Sequence, residues 1–254
     1  MNRTVLISLL LIILSAVAPA TLYAQNVAAL MQQARTFEKA FKDDEALKKY
    51  TEVLKYDPFN IDALCKASEL YSVIGKRRST KDEQKEYYKT GEMYARKALR
   101  VNPNHSDANF AMAISMGRMA LISSGKEKMA AVKEIKTYAD KCIQLDPKNF
   151  KGYHVLGKWH FEVSDLNGFE KWVVKITYGA LPPSSVDDAV KNYEKSKQLN
   201  PAFLLNYLEL AKAYKRKGET AKARVLLEQL QKLPPSASDD VKIKSLGRKL
   251  LDDL

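Results

Sequence analysis

Small and apolar residues recur at i, i+4 and i+7 in five otherwise polar stretches of the chain, and each stretch reaches a proline five residues later. The stretches read ALKKYTEVLKYDP, GEMYARKALRVNP, EIKTYADKCIQLDP, DAVKNYEKSKQLNP and KARVLLEQLQKLPP. Such spacing gathers the apolar positions on one face of a helix. Proline has no N–H and disfavours helical geometry in the residue before it. Asp57-Pro58, Asn102-Pro103, Asp146-Pro147, Asn200-Pro201 and Pro234-Pro235 therefore predict five helix ends.

Numbering each unit so that this proline is position 32 starts the units at Val27, Ile61, Ser106, Phe150 and Leu204. The first and fifth are uninterrupted 34-residue units, which is the tetratricopeptide (TPR) period. The first carries Ala34, Phe37, Ala46, Tyr50 and Val53 where two antiparallel helices, A and B, must pack together. The fifth carries Tyr207, Leu210, Ala211, Tyr214, Ala223, Leu227 and Leu230 in the same roles. In the fourth, Gly157 follows Leu156 and lets helix A approach helix B closely. Units two, three and four span 45, 44 and 54 residues, and their extra 11, 10 and 20 residues are expected between helix A and helix B. A single helical hairpin cannot bury its apolar side alone, so neighbours must stack into one core. The prediction is an all-α fold over residues 25–254, a TPR-type helical-hairpin solenoid of five repeats with helix A of each unit lining a concave surface. Residues 239–254, with Val241, Ile243, Leu246, Leu250 and Leu251 at helical spacing, predict a capping helix.

The first 25 residues, MNRTVLISLLLIILSAVAPATLYAQ, follow a different rule. Arg3 precedes an apolar run from Val5 to Ala18, Pro19 breaks it, and Leu22-Tyr23-Ala24 precedes Gln25. Residues 1–24 are thus expected to be a secretory signal peptide cleaved after Ala24, of bacterial appearance. The large Leu22 leaves an uncleaved anchor as the alternative. The expected location is the periplasm of a Gram-negative-type envelope, with secretion or anchoring as variants. Composition agrees with a folded, exported chain: 46% hydrophobic and 28% charged residues argue against disorder and multi-span membrane architectures. A net charge of +12 favours acidic partners. Cys65 and Cys142 have no paired spacing, which excludes a disulfide scaffold and a cysteine zinc module and predicts two buried, unpaired thiols.

Two segments of unit four are more specific than the TPR pattern. They are Gly157-Lys158-Trp159-His160-Phe161-Glu162-Val163 and Tyr178-Gly179-Ala180-Leu181-Pro182-Pro183-Ser184. Together they resemble the regulator of microtubule dynamics family, whose members pair a Gly-(Lys/Arg)-Trp-x-(Phe/Tyr)-x-Val segment with a downstream (Phe/Tyr)-Gly-x-x-Pro-Ser segment. The resemblance extends roughly from Phe37 to Leu251 and is most specific from Lys133 to Pro201. It implies a helical TPR-type domain that acts by binding, without enzymatic chemistry of its own. An exported chain would not meet cytoplasmic microtubules, so the fold is expected to carry over and the tubulin role is not.

Catalytic chemistry has no visible carrier. The chain holds no GxSxG elbow, GxGxxG turn or H-E-x-x-H helix. His154 and His160 are six residues apart and do not share a helix face, so neither a metal site nor a cofactor site is expected. Asp187-Asp188 and Asp239-Asp240 fall where helices should start and are explained by capping. A non-enzymatic binding or scaffold protein is the resulting expectation. Concave positions of helix A are about 2, 5, 9, 12 and 13. They place Phe110, Ile114 and Arg118 of unit three on one surface with Lys151, His154, Lys158, Phe161 and Glu162 of unit four. Leu205, Leu208, Lys212, Lys215 and Arg216 of unit five complete it. Cations beside aromatic surface suit an acidic protein or peptide, with an anionic lipid or small acidic ligand as the alternative. Nucleic acid is excluded as a partner because export removes it. Lys76-Arg77-Arg78, with Lys81, Lys85 and Lys89, is expected to form solvated helix extensions. The apolar insertion with Trp172 and Tyr178 is expected to fold back and wall off one end of the groove, membrane contact or partner docking being the competing role.

Overall fold

Four of the described helices begin where a side chain accepts backbone N–H groups that a helix start leaves unpaired. The structure, a computed structural model, describes residues 25–123, 125–166 and 181–254. The predicted signal peptide and the insertion bearing Trp172 and Tyr178 lie outside the described residues. Among those described there are eleven helices and no strand. They are α1 (25–39), α2 (Asp43–Tyr56), α3 (Ile61–Gly75), α4 (Lys81–Val101), α5 (Ser106–Ile122) and α6 (Gly125–Leu145). Then follow α7 (Phe150–Ser164), α8 (Val186–Leu199), α9 (Leu204–Arg216), α10 (Thr220–Lys232) and α11 (Asp240–Asp252). Odd-numbered helices up to α9 are the A helices, even-numbered ones the B helices, and α11 is the cap.

Every B helix stops two residues before the first proline that follows it, as predicted. In four units the residue before that proline does more than tolerate it. Oδ1 of Asp57, Asn102, Asp146 and Asn200 accepts the backbone N–H two residues on, at 3.3, 2.9, 2.9 and 3.1 Å. The recurring dipeptide is thus a helix stop and an Asx turn in one, which fixes the angle into the next A helix. At the other ends, Asn60, Asn149 and Ser185 accept backbone N–H groups of α3, α7 and α8. Thr80 and Glu83 form a reciprocal capping box on α4. That box starts the helix ahead of the 34-residue period, in line with the helix extension expected for Lys81, Lys85 and Lys89. Extra residues of units two and three lengthen their B helices, so that α4 and α6 run 21 residues against 14 in α2 and 13 in α10.

Packing runs in series along the array. Leu30, Ala34, Tyr50, Val53, Ala67 and Ile74 form the N-terminal core, and Met112, Ala139, Cys142, Leu156 and Trp159 the central one. Tyr193, Leu208, Leu210, Leu227 and Leu230 form the C-terminal core, which Ile243 of α11 closes. The family-like Trp159 lies buried, and its indole N–H donates to the Val132 carbonyl of α6 at 2.6 Å, tying unit four to unit three. Cys65 and Cys142 are both buried and unpaired. No described helix is long and apolar enough to cross a membrane.

Gly157 is required by the packing of α7 on α8. A Cβ there would sit 2.6 Å from Cδ1 of the fully buried Tyr193 ring. Gly157→Ala is therefore expected to cost about 1–3 kcal/mol, since the ring has no room to move. The Tyr193 hydroxyl is shielded from solvent and has no hydrogen-bond partner among the described residues. Tyr193→Phe should accordingly be neutral or stabilising. Urea unfolding of both variants checks the pair, and a Gly157→Ala protein as stable as the parent would refute the close contact.

Candidate functional site: the concave face

Position along the repeat decides which side chains meet on the inner surface. The A helices stack side by side there, so residues at equivalent positions in successive units come together. Hydroxyls mark the first contact: Ser115 of α5 is 3.1 Å from Ser68 and 3.2 Å from Ser72 of α3. Charged pairs mark the others. Lys66 of α3 bonds Glu38 at 2.9 Å, and Lys151 of α7 reaches Glu69 of α3 at 2.9 Å and Asp107 of α5 at 3.2 Å. Lys158 of α7 bonds Glu209 of α9 at 2.8 Å and Glu162 at 2.9 Å, while Lys212 holds the other Glu209 oxygen at 2.7 Å.

Glu209 is 6% exposed and would be costly to ionise alone. Burial pushes its carboxyl upward, but Lys158 and Lys212 outweigh burial and hold it at about 2. The same pairing keeps Lys158 above the usual lysine range although desolvation opposes it. The predicted aromatic surface is covered as well. Lys151 Nζ lies 4.6 Å from the Phe110 ring centre, and the Arg216 guanidinium lies 3.5 Å from that of Phe161. Arg216 also donates to the Phe161 carbonyl at 2.7 Å. Lys215 donates to the carbonyl of Asp253 at 3.2 Å, so it serves the capping helix.

The structure brings Lys158 and Lys212 together on Glu209, sets Phe110 and Phe161 under Lys151 and Arg216, packs His154 among Asn206, Tyr193 and Phe203, and gives Lys215 and Arg216 bracing contacts to the Asp253 and Phe161 carbonyls. Of the six predicted groove cations, Arg118 alone forms no hydrogen bond or ion pair with a described residue; its Nε is shielded from solvent. The partners Glu69 and Glu209 were not among the predicted residues. Glu69 occupies position 9 of unit two and could have been found by extending the same count upstream; Glu209, at position 6, lies outside it.

Lys76-Arg77-Arg78 departs furthest from expectation. Lys76 ends α3, and the two arginines lie in the following turn, not on a solvated helix. Arg77 Nε donates to Asp239 at 2.8 Å and Lys76 Nζ to the same carboxylate at 3.2 Å. Arg77 also bonds Asp43 and Ser238, which bond each other. The contacts to Ser238 and Asp239 join residues 161 to 195 positions apart. The array curls until its first hairpins meet the turn before its last helix. The mixture of half-buried ion pairs in this network is stronger than isolated surface pairs and weakens with salt. Asp239→Lys is therefore expected to enlarge the radius of gyration by small-angle scattering while leaving the helical circular dichroism unchanged. An unchanged radius would assign the curvature to apolar packing alone.

His154 contributes a pH dependence, in the same direction as His160, whose pKa burial also lowers. Asn206 Nδ2 donates to the Tyr193 carbonyl at 2.8 Å, which leaves its Oδ1 to accept from His154 Nδ1–H at 2.9 Å. That bond fixes the proton on Nδ1, and burial holds the imidazole neutral, taking its pKa down to about 4 against the weaker opposing pull of Asn206 and Glu209. On unfolding below its ordinary pKa near 6.5 it gains a proton, so this contribution is complete above about pH 6.5 and is lost progressively toward pH 4. The loss comes to about 3 kcal/mol in all, of which about 2 is gone by pH 5. His154→Gln, whose amide can still donate to Asn206, should reduce the difference in unfolding free energy between pH 7 and pH 5, leaving the part that His160 contributes. An undiminished difference would place the titration elsewhere.

Fold and inner face together define a TPR-type helical solenoid. The profile of the regulator of microtubule dynamics proteins 1–3 matches residues 30–254, and the chain belongs to that family. It is similar to regulator of microtubule dynamics protein 3 of Rattus norvegicus, 26% identical over 180 residues that cover 70% of this chain and 38% of the rat protein. It is likewise similar to regulator of microtubule dynamics protein 1 of Bos taurus, 26% identical over 181 residues covering 70% of this chain and 57% of the bovine one. The chain therefore spans less than two thirds of these curated relatives. A thermophilic TPR protein of Thermus thermophilus shares the fold, with a TM-score of 0.65 at 12% identity, covering 89% of this chain and 98% of that one.

Proposed function

We propose that this protein is a non-enzymatic scaffold of the cell envelope whose concave face receives an acidic protein or peptide. The observation that carries this reading is the inner surface itself. Charged, aromatic and hydroxyl side chains of four A helices face one another there, on a frame made rigid by ion pairs between repeats. Tight pairing also means that the surface is less openly cationic than a count of lysines implies, so recognition rests on the few groups left unpaired. The export segment supports the envelope location, and with it the view that the role in the relatives' name does not extend to this chain. A small acidic or anionic lipid ligand inside the curled array is the second reading, favoured by the unpaired Arg118.

Charge reversal at Lys158 or Arg216 is a poor test, because these residues hold Glu209 and Phe161 in place. A photo-crosslinking residue in place of half-buried Ile114 leaves the pairs intact. In the producing cell, Ile114 is expected to capture a polypeptide, and a crosslinker at Lys195 on α8, away from the concave face, is expected to capture none or fewer. Equal capture from both positions would overturn the concave-face reading. A retained mass of a few hundred daltons on the natively purified protein, with no polypeptide captured, would establish the second reading in its place.

A further inference from the structure

Arg77, Asp43, Ser238 and Asp239 form a clasp that holds the turn between α1 and α2 against the turn before α11. The two segments it joins, residues 39–44 and 237–242, hold four aspartates and three lysines. Every aspartate is engaged. Asp43 bonds Arg77, Asp239 bonds Lys76 and Arg77, Asp44 bonds Arg78, and Asp240 accepts the N–H groups of Ser236 and Ala237. The lysines are free: Lys39, Lys42 and Lys242 are exposed and pair with no described residue. A stretch that is acidic by composition thus turns a cationic surface to solvent.

Beside those lysines stand Phe41 and Val241, 42% and 71% exposed, and neither belongs to an apolar core. Phe41 is also the one non-glycine residue with positive φ among the described residues, at +58°. It occupies position 15 of unit one, where unit five has Gly218 at φ +76°. A bulky side chain is disfavoured in that conformation. Packing does not call for one either, since a Cβ on Gly218 would meet nothing within 4 Å. Phenylalanine here strains the backbone and leaves its ring in water, and strain of this kind is kept where a function uses it.

We infer that the closed clasp assembles a docking patch for an anionic lipid surface. Phe41 and Val241 enter the headgroup region, and Lys39, Lys42 and Lys242 meet the lipid phosphates. Charge complementarity sets the sign of the surface, because the acids are neutralised inside the clasp and only cations face outward. A bilayer accepts protruding apolar side chains without a matching cavity, which a protein partner would have to supply. The patch sits on turns, apart from the A-helix residues of the concave-face reading, and does not rest on that reading.

The test uses the protein as purified from the producing cell, with vesicles of phosphatidylcholine alone or mixed equally with phosphatidylglycerol. An environment-sensitive dye on Ala40→Cys is expected to shift to the blue with the anionic vesicles and not with the neutral ones. Cys65 and Cys142 are buried and stay unlabelled. The same dye on Lys195→Cys, on α8, is expected to stay silent. Phe41→Gly should raise the lipid concentration that half-saturates the dye response at least about tenfold. Lys42→Gln and Lys242→Gln should each raise it about fivefold. Arg77→Ala, which parts the two segments but keeps both apolar side chains and all three lysines, should weaken the response as well. Phe41→Gly should be at least as stable to heat as the parent, because glycine relieves the left-handed backbone. A dye at position 40 indifferent to anionic vesicles, an equal response to neutral ones, or an unchanged response in Arg77→Ala would each overturn the patch. So would a marked loss of stability in Phe41→Gly, which would assign Phe41 to the fold. A photo-crosslinker at Lys42 that captures an acidic polypeptide in the cell, with the dye silent on vesicles, would replace the lipid surface by a protein.

Discussion

Glu209 is the point on which the concave side turns. A carboxylate this deeply enclosed is tolerable only with both oxygens engaged, and Lys158 and Lys212 meet them from different helices. The pair across α7 and α9 obliges two successive A helices to lie at a set distance, and Lys151 with Glu69 imposes the same on α7 and α3. Apolar packing supplies the energy of the array, but it is non-directional. The ionic contacts choose one curvature among those that packing would allow.

That curvature has a consequence at the ends. Because each A helix is drawn inward, Arg77 and Lys76 arrive at Asp239, and the early hairpins touch the approach to the capping helix. A chain of stacked hairpins thereby gains contacts between residues far apart in sequence, which a nearest-neighbour array lacks. The inner surface becomes an enclosed environment in which charges are desolvated and an unpaired one, Arg118, is conspicuous. Binding and architecture are therefore not separable here: most cations of the inner face are structural, and the few that are not stand out against them.

Much of this was legible in the sequence because it depends on local rules. Proline at position 32 and the aspartate or asparagine before it end each helix by backbone chemistry alone, so the unit boundaries at Ile61, Ser106, Phe150 and Leu204 match the first residues of α3, α5, α7 and α9. Gly157 was readable as a close approach of helices because it falls at the repeat position where units one and five carry the small residues Ala34 and Ala211. The capping helix followed from the amphipathic spacing of Val241 to Leu251. The family, too, was readable, since the segment from Gly157 to Val163 is contiguous and its Trp159 has one structural task.

Other features were settled only by the folded arrangement. Which carboxylate meets which lysine depends on neighbours 51 to 82 positions away, as for Lys158 with Glu209 and Lys151 with Glu69, and no local count reaches that far. The Lys76-Arg77-Arg78 run read as solvated surface because a local count cannot reach its partners, the acids Asp43 and Asp239. The sequence alone determined how many hairpins there are, where each begins, and which face of each is apolar, because periodicity and backbone chemistry act over a few residues. Tertiary structure alone decided which charges are neutralised and which one is left, because Coulomb pairing is chosen by distance in space and enforced by the cost of desolvation.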